Sequence, residues 1–295
     1  MKILFMILLS TLTLMANQAF ISADDLETLL QKNKTIVLID IGTAEDYKKG
    51  HVPGAQNSHI SKWREKIAFH DQLRSDKELL KEIQRLGITN DSHVIIYGHN
   101  KKKELLKSSY VALALISQGI TNVSLLDGAF SEWEYDEERS IELVAQPVAK
   151  SNFVPKVNRS FIVDKNFVKS QIYKIPMLEA RPPEFYYGTI RSQGVKRYGH
   201  IPGAMSSNWK DKFTLDEMLK SDKILNEIFV QGFHLNKNEE VLLYCTGGLE
   251  ASMNWYILSQ KMGFTNTKIY DASMREWGNL DDTPIARYKW EMFRK

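Results

Sequence analysis

The sequence predicts an α/β protein built from two tandem domains of one kind, each with a mainly parallel central sheet flanked by helices. Three observations carry this. The chain repeats itself, short apolar strands alternate with segments of helical period, and a glycine-free stretch separates the two copies. A length of 295 residues suits two domains at roughly 150 residues each. With 43% hydrophobic and 25% charged residues, the chain has the composition of a folded globular protein.

The chain opens on MKILFMILLSTLTLMANQAF, with one lysine, an apolar run of about a dozen residues and a small-residue exit at Ala16 to Ala19. This is a secretory signal pattern, and its apolar run is too short to span a bilayer comfortably. Residues 1–19 are therefore expected to be a cleaved leader. The mature protein is expected to be exported, periplasmic or secreted, with no stable membrane insertion. Phe20 and Ile21 read as the first strand of the fold, and Ser22 followed by Asp25 reads as a capping box that starts a helix.

The repeat is anchored by GHVPGA (Gly50 to Ala55) and GHIPGA (Gly199 to Ala204). Around this anchor four more pairs follow in the same order: FISADDL with FIVDKNF, TIVLIDIG with KIPMLEAR, HVIIYGH with EVLLYCT, and LLDGAFSEW with IYDASMREW. Within the units, IVLID, VIIY and VSLL are strand-like, whereas LLKSSYVALALISQ and SMNWYILSQKMG have helical period. The first domain is assigned to residues 20–142 and the second to 159–295. The segment 143–158 between them carries Pro147 and Pro155 and reads as an extended linker.

Charge excludes some functions. The 39 basic and 36 acidic side chains are interleaved and leave a net charge of only +3, with no arginine stripe, so no nucleic-acid partner is expected. The lysine-dense run His99 to Lys103 reads as a solvated loop. The seven histidines show no metal-ligand spacing, and glycine-rich phosphate motifs are absent, so neither a metal nor a nucleotide cofactor is expected.

Duplication also separates architecture from chemistry. His51 and His200, Asp127 and Asp271, and Trp133 and Trp277 occur in both halves and are assigned structural roles. Cys245, the only cysteine, is matched in the first half by Gly98, and Arg181 is matched by Gly42. An unpaired thiol in an exported protein points to reactivity. The strand VLLYC runs through Thr246, Gly247 and Gly248 into a helix, so backbone amides and a helix N-terminus should converge on the sulfur. Such a setting lowers a thiol pKa from about 8.5 to between about 3.5 and 7.5, and Cys245 is expected to be a thiolate at neutral pH. A cysteine phosphatase would need an arginine six residues after the nucleophile, where this chain has Ala251.

These pieces resemble the tandem-domain rhodanese sulfurtransferases, in which an inactive first domain precedes an active second one. GHVPGA and GHIPGA, LGITNDSHVIIY, EAR, YCTGG and YDASMREW carry the resemblance over nearly the whole chain after the leader. It implies double displacement, in which the Cys245 thiolate takes a sulfane sulfur from a small anionic donor and passes the persulfide sulfur to cyanide or a thiol. It also implies that Arg181 grips the donor and that Thr246, Gly247, Gly248, Leu249 and Glu250 form the binding loop. The loop lacks the cations of thiosulfate-preferring members and matches the Gly/Ser loop of mercaptopyruvate-preferring members only loosely, so the donor stays open between the two. Of the first-domain residues that some mercaptopyruvate enzymes contribute, His70 is retained and His59 stands at an acidic position. Glu250 either caps the helix or faces the sulfur, where it would raise the thiol pKa. The other reading is a non-catalytic module of the same fold that carries sulfur or binds protein.

Overall fold

The computed structural model describes residues 18–32, 35–99 and 101–292, without the side chains of 101–103. Nearly all of the expected leader lies outside the described residues. The first half contains strands β1 (Phe20–Ile21), β2 (Ile36–Asp40), β3 (Gln56–Asn57), β4 (Arg64–Ile67), β5 (His70–Leu73), β6 (His93–Tyr97) and β7 (Val123–Leu126). Its helices are α1 (Ala23–Lys32), α2 (Ala44–Lys49), α3 (Asp76–Arg85), α4 (Lys101–Ser117) and α5 (Ala129–Glu134). The second half contains β8 (Met177–Glu179), β9 (Ala204–Ser206), β10 (Val241–Tyr244) and β11 (Thr267–Ile269), with α6 (Lys165–Gln171), α7 (Pro183–Tyr187), α8 (Asp222–Asn226), α9 (Leu249–Tyr256) and α10 (Ser273–Trp277).

The two sheets share one topology. The first runs β1-β7-β6-β2-β3 and the second β11-β10-β8-β9, all parallel, and a parallel bridge from Ile162 to Ile269 supplies the counterpart of β1. β10 is buried along its whole length, as expected of apolar runs in a sheet covered on both faces. Gly98 and Cys245 follow the matching strands β6 and β10 at their C-terminal ends, where open α/β sheets place their ligands.

Residues shared by the halves do the same work in each. His51 stacks on Tyr47 and hydrogen-bonds its carbonyl at 2.9 Å, and His200 does so with Tyr186 at 2.8 Å. The Trp133 and Trp277 indoles donate to the Ser140 and Pro284 carbonyls. Asp127 and Asp271 act across the domain boundary. The β4–β5 hairpin of the first half reaches over, and Leu73 N donates to Asp271 Oδ2 at 2.8 Å. The corresponding segment of the second half reaches back, and Leu219 N donates to Asp127 Oδ1 at 3.0 Å. Between these arms α4 packs along α9, with Ser109 Oγ and Ser252 Oγ 2.9 Å apart. Each buried Leu or Val of this seam contributes about 1.5–3 kcal/mol.

Three expectations are sharpened. The segment 143–158 has no helix or strand, as read, but it is strapped to the first domain. Ser151 N donates to Gln84 O, Lys156 N to Gln118 O and Asn158 N to Ser117 O, and Phe153 is buried. The lysine-dense run is not a loop throughout, because α4 begins at Lys101. The Ser22 cap is present, with Asp25 N donating to its Oγ at 3.0 Å, but the fold starts before Phe20. The Gln18 carbonyl receives Ser124 Oγ, and the Ala19 carbonyl receives Leu125 N at 2.8 Å and faces Tyr256 Oη at 2.9 Å. A cut after Ala19 would remove all three contacts. Among the described residues no helix is long and apolar enough to cross a membrane.

Candidate active site

β10 ends on Tyr244, and the chain turns through Cys245 to Gly248 before α9 begins at Leu249. Gly248 has φ +92°, a conformation that strains any side chain, and a Cβ there would lie 2.2 Å from Asp271 Oδ1. This turn aims the Gly248 amide at Cys245 Sγ, 3.1 Å away, and the Gly247 and Ala251 amides also face the sulfur. The start of α10 holds the loop from behind. Met274 N donates to Cys245 O at 3.1 Å and Arg275 N to Thr246 O at 2.8 Å. Ser273, at φ +52°, accepts the Cys245 amide at 3.0 Å and places its Oγ 3.9 Å from the sulfur. A non-glycine residue in this conformation costs about 1–3 kcal/mol and is retained where the surroundings fix it.

The sulfur is fully buried. Burial, followed by the negative charge of Glu250, pushes the thiol well above its ordinary range, and the converging amides offset only part of this. The expected thiolate is thereby corrected: the amide nest exists, but desolvation and a neighbouring negative charge outweigh it. Glu250 is half-buried in the first turn of α9.

Arg181 is also corrected as the residue that grips the donor. Its guanidinium is buried and directed inward, paired with Glu179 and donating to Ser192 Oγ at 3.2 Å and Gly199 O at 2.7 Å. Glu179 in turn receives Tyr244 Oη at 2.6 Å. Arg181 therefore positions the loop indirectly, because Ser192 Oγ lies 3.3 Å from Thr246 Oγ1. Thr246 and Leu249 are half-buried, and Gly247 and Gly248 are buried.

Several residues at the site were not anticipated. Arg64, on β4 of the first half, donates to the Gly247 carbonyl and lies 4.5 Å over the Tyr110 ring. Tyr110 Oη donates to Asp271 Oδ2 at 2.7 Å. Arg275 approaches Gly247 but is paired with Asp71 of the same hairpin. Arg181 and Arg275 are thus paired with carboxylates, whereas Arg64 has no ion pair among the described residues and its buried Nε has no hydrogen-bond partner. His70 lines an interdomain cavity of about 260 Å³ with Leu73, Arg159, Tyr270 and Asp271. His59 caps the turn Ile60–Lys62. Neither histidine bonds Cys245 among the described contacts. Only the hairpin's position in the repeat, beside the GHVPGA anchor, could have signalled its role.

The first half shows why it lacks this site. A Cβ at Gly98 would lie 2.4 Å from Glu104 Cβ, and Glu104 Oε2 already accepts the His99 amide at 2.6 Å. A Cβ at Gly42 would lie 2.5 Å from His99 Cδ2, whose ring bonds Asp40 at 2.8 Å. A carboxylate fills the place of the nucleophile, and an imidazole fills that of the buried arginine.

Comparison with known proteins agrees with this architecture. The family model described as "Rhodanese-like domain" matches residues 22–136 and 165–280. A "Putative thiosulfate sulfurtransferase" of Mycolicibacterium smegmatis is 30% identical, over 91% of this chain and 98% of that protein. "Sulfur carrier protein TtuD" of Thermus thermophilus is 28% identical, over 92% of this chain and 97% of that protein. The crystal structure of YnjE superposes with a TM-score of 0.79 at 21% identity, covering 92% of this chain and 68% of that one. The anaerobic ergothioneine biosynthesis enzyme of Chlorobium limicola superposes with a TM-score of 0.76 at 20% identity, covering 91% and 70%. The matched segments coincide with the two halves of the internal repeat, so the chain belongs to the rhodanese-like domain family and carries two of its domains in tandem.

Proposed function

We propose that this protein is a sulfurtransferase that moves a sulfane sulfur from a small anionic donor, thiosulfate or 3-mercaptopyruvate, to cyanide or a thiol acceptor through a persulfide on Cys245. The observation that carries the reading is the seat of the Cys245 sulfur, with the Gly248 amide 3.1 Å away and those of Gly247 and Ala251 turned toward it. Donors so arranged stabilise negative charge that develops on sulfur during transfer. Thr246, Gly247, Gly248, Leu249 and Glu250 form the wall against which donor and acceptor meet the sulfur, and Arg181 braces that wall. The relatives named as sulfur carrier and thiosulfate sulfurtransferase support the reading.

The test is release of thiocyanate from cyanide with each donor, together with a persulfide mass shift on Cys245 and loss of both in Cys245→Ser. Absence of turnover and of the mass shift with both donors overturns the enzyme reading. A second reading, a carrier of sulfur or a protein-binding module, is favoured by the buried sulfur and by the negative charge of Glu250. It predicts a persulfide that forms but is discharged only to a protein partner. On the leader pattern, the protein is proposed to act outside the cytoplasm, which cell fractionation with N-terminal sequencing of the mature chain tests.

A further inference from the structure

The peptide unit between Gly247 and Gly248 is held at both ends. Its N–H, on Gly248, points at Cys245 Sγ from 3.1 Å, and its carbonyl, on Gly247, accepts a hydrogen bond from the Arg64 guanidinium of the first domain. One planar amide therefore stands between a cation and the sulfur. Hydrogen bonds in such a chain strengthen one another, because a positive charge at the carbonyl polarises the group and makes its N–H a better donor.

The fold delivers Arg64 to this place. It stands opposite Leu73 in the β4–β5 hairpin, and Leu73 N donates to Asp271 Oδ2 at 2.8 Å. The same oxygen receives Tyr110 Oη at 2.7 Å, and the guanidinium lies 4.5 Å over the Tyr110 ring. Arg181 and Arg275 are paired with Glu179 and Asp71, whereas Arg64 has no ion pair among the described residues, so its charge is left to the peptide and the ring. The internal repeat provides a comparison. Nine residues past the last alanine of the anchor stands Arg64 in the first half and Phe213 in the second. Phe213 is buried and lines a cavity with Leu105 of α4. The half with a cysteine thus receives a cation from its neighbour, and the half without one receives a phenyl ring.

We propose that Arg64 is a positioning residue for sulfur transfer: through the Gly247–Gly248 peptide it fixes the amide that binds Cys245 Sγ and supports negative charge there, so that the half without a nucleophile completes the site of the half that has one. The inference rests on the sulfur-transfer reading above. Negative charge stands on Sγ twice in that reaction. The thiolate attacks the donor sulfur, forming the Sγ–S bond as the donor's leaving group departs with its electron pair. Later Sγ leaves with the electron pair of the S–S bond as the acceptor takes the outer sulfur. The other charged and titratable groups around this chain are Glu250 on α9, whose charge opposes the thiolate, the pairs Arg181–Glu179 and Arg275–Asp71, and Tyr110 and Asp271 beside Arg64.

The experiment compares wild type with Arg64→Met, which keeps the apolar stem, and Arg64→Lys, which keeps the charge. Iodoacetamide alkylation of Cys245 from pH 7 to 10 reports thiolate formation without turnover, and thermal melting reports folding. Arg64→Met should be alkylated about 10-fold more slowly at each pH, a displacement of about one pH unit upward, and Arg64→Lys should recover part of the loss. Thiocyanate release should fall by about 10²-fold in Arg64→Met, mainly in kcat, as when one donor to a developing charge is lost. Asp71→Asn breaks the hairpin's ion pair with Arg275 but leaves Arg64 in place, and it should not slow alkylation. Should Arg64→Met melt below the assay temperature, Arg64→Gln takes its place with the same expected displacement. Alkylation of the neutral variant at the wild-type rate, or equal slowing in it and in Asp71→Asn, overturns the role of Arg64 while leaving sulfur transfer standing. Failure of wild type to form a persulfide from either donor overturns the sulfur-transfer reading itself.

Discussion

Lys212 offers a test of the second domain that is independent of chemistry at Cys245. Its side chain is fully buried, and its amine donates to Ser207 Oγ and Asn208 O, each at 2.8 Å, over the rings of Phe229 and Phe233 at 5.2 and 5.9 Å. Among the described residues no ion pair holds it, and burial, with the opposing pull of Asp211 and the push of Lys220, moves the amine from 10.5 down to about 7. The unfolded chain therefore binds a proton between about pH 10 and 7 that the folded chain binds only near 7, so stability rises with pH across this window. At about 1.36 kcal/mol per pH unit the full window is worth roughly 5 kcal/mol, and the segment from pH 7 to pH 9 about 2 kcal/mol. Lys212→Met keeps the unbranched stem and removes the titrating group. Urea denaturation of both proteins at pH 7, 8 and 9 should show wild type gaining about 2 kcal/mol on the variant over that range. In the first half Trp63 occupies the corresponding place, and its indole donates to Ser58 Oγ at 2.9 Å, so a neutral donor suffices there. Parallel pH curves for the two proteins would refute the reasoning, because they would mean that Lys212 stays charged when the chain folds.

Three further outcomes follow from the site. Gly248→Ala places a Cβ at φ +92° and 2.2 Å from Asp271 Oδ1, and it should cut thiocyanate release by about 10²-fold and stability by about 1–3 kcal/mol, read by turnover and thermal melting. Arg181→Met strands a buried Glu179 and should destabilise the second domain by about 3–5 kcal/mol; a raised KM with an unchanged melting temperature would instead return Arg181 to donor binding. Gly98→Cys should form no second persulfide under donor, as judged by intact mass, because the space its Cβ needs holds Glu104.

What the sequence made legible was whatever is written in contiguous stretches. The repeat exposed two domains of one kind with mainly parallel sheets, and the shared His51 and His200 perform the same local task because each partner, Tyr47 and Tyr186, lies within the same domain. The run YCTGG exposed the nest, since its amides and its sulfur are close in the chain. The remainder depends on contacts between residues far apart in sequence, such as Arg64 with Gly247, Tyr110 with Asp271 and Leu73 with Asp271. No pattern in one segment encodes these.

Comparing the halves by residue identity sorts positions into shared and unshared, but it says nothing about what a residue touches. Asp127 and Asp271 are shared, and each clamps the opposite half's arm, with the Asp271 clamp lying against Gly248 in the Cys245 loop. Arg181 is unshared, but an unshared residue can equally be the partner of another change. The first half pairs Asp40 with His99, and the second pairs Glu179 with Arg181. Read as pairs, these are alternative ways of neutralising one buried carboxylate at the end of the central strands. The same logic isolates Cys245. In the first half a carboxylate occupies the nest itself and accepts its amide, whereas in the second half the nest holds a sulfur. The two halves thus differ less in how the loop after the central strand is folded than in whether an acid or a nucleophile fills it.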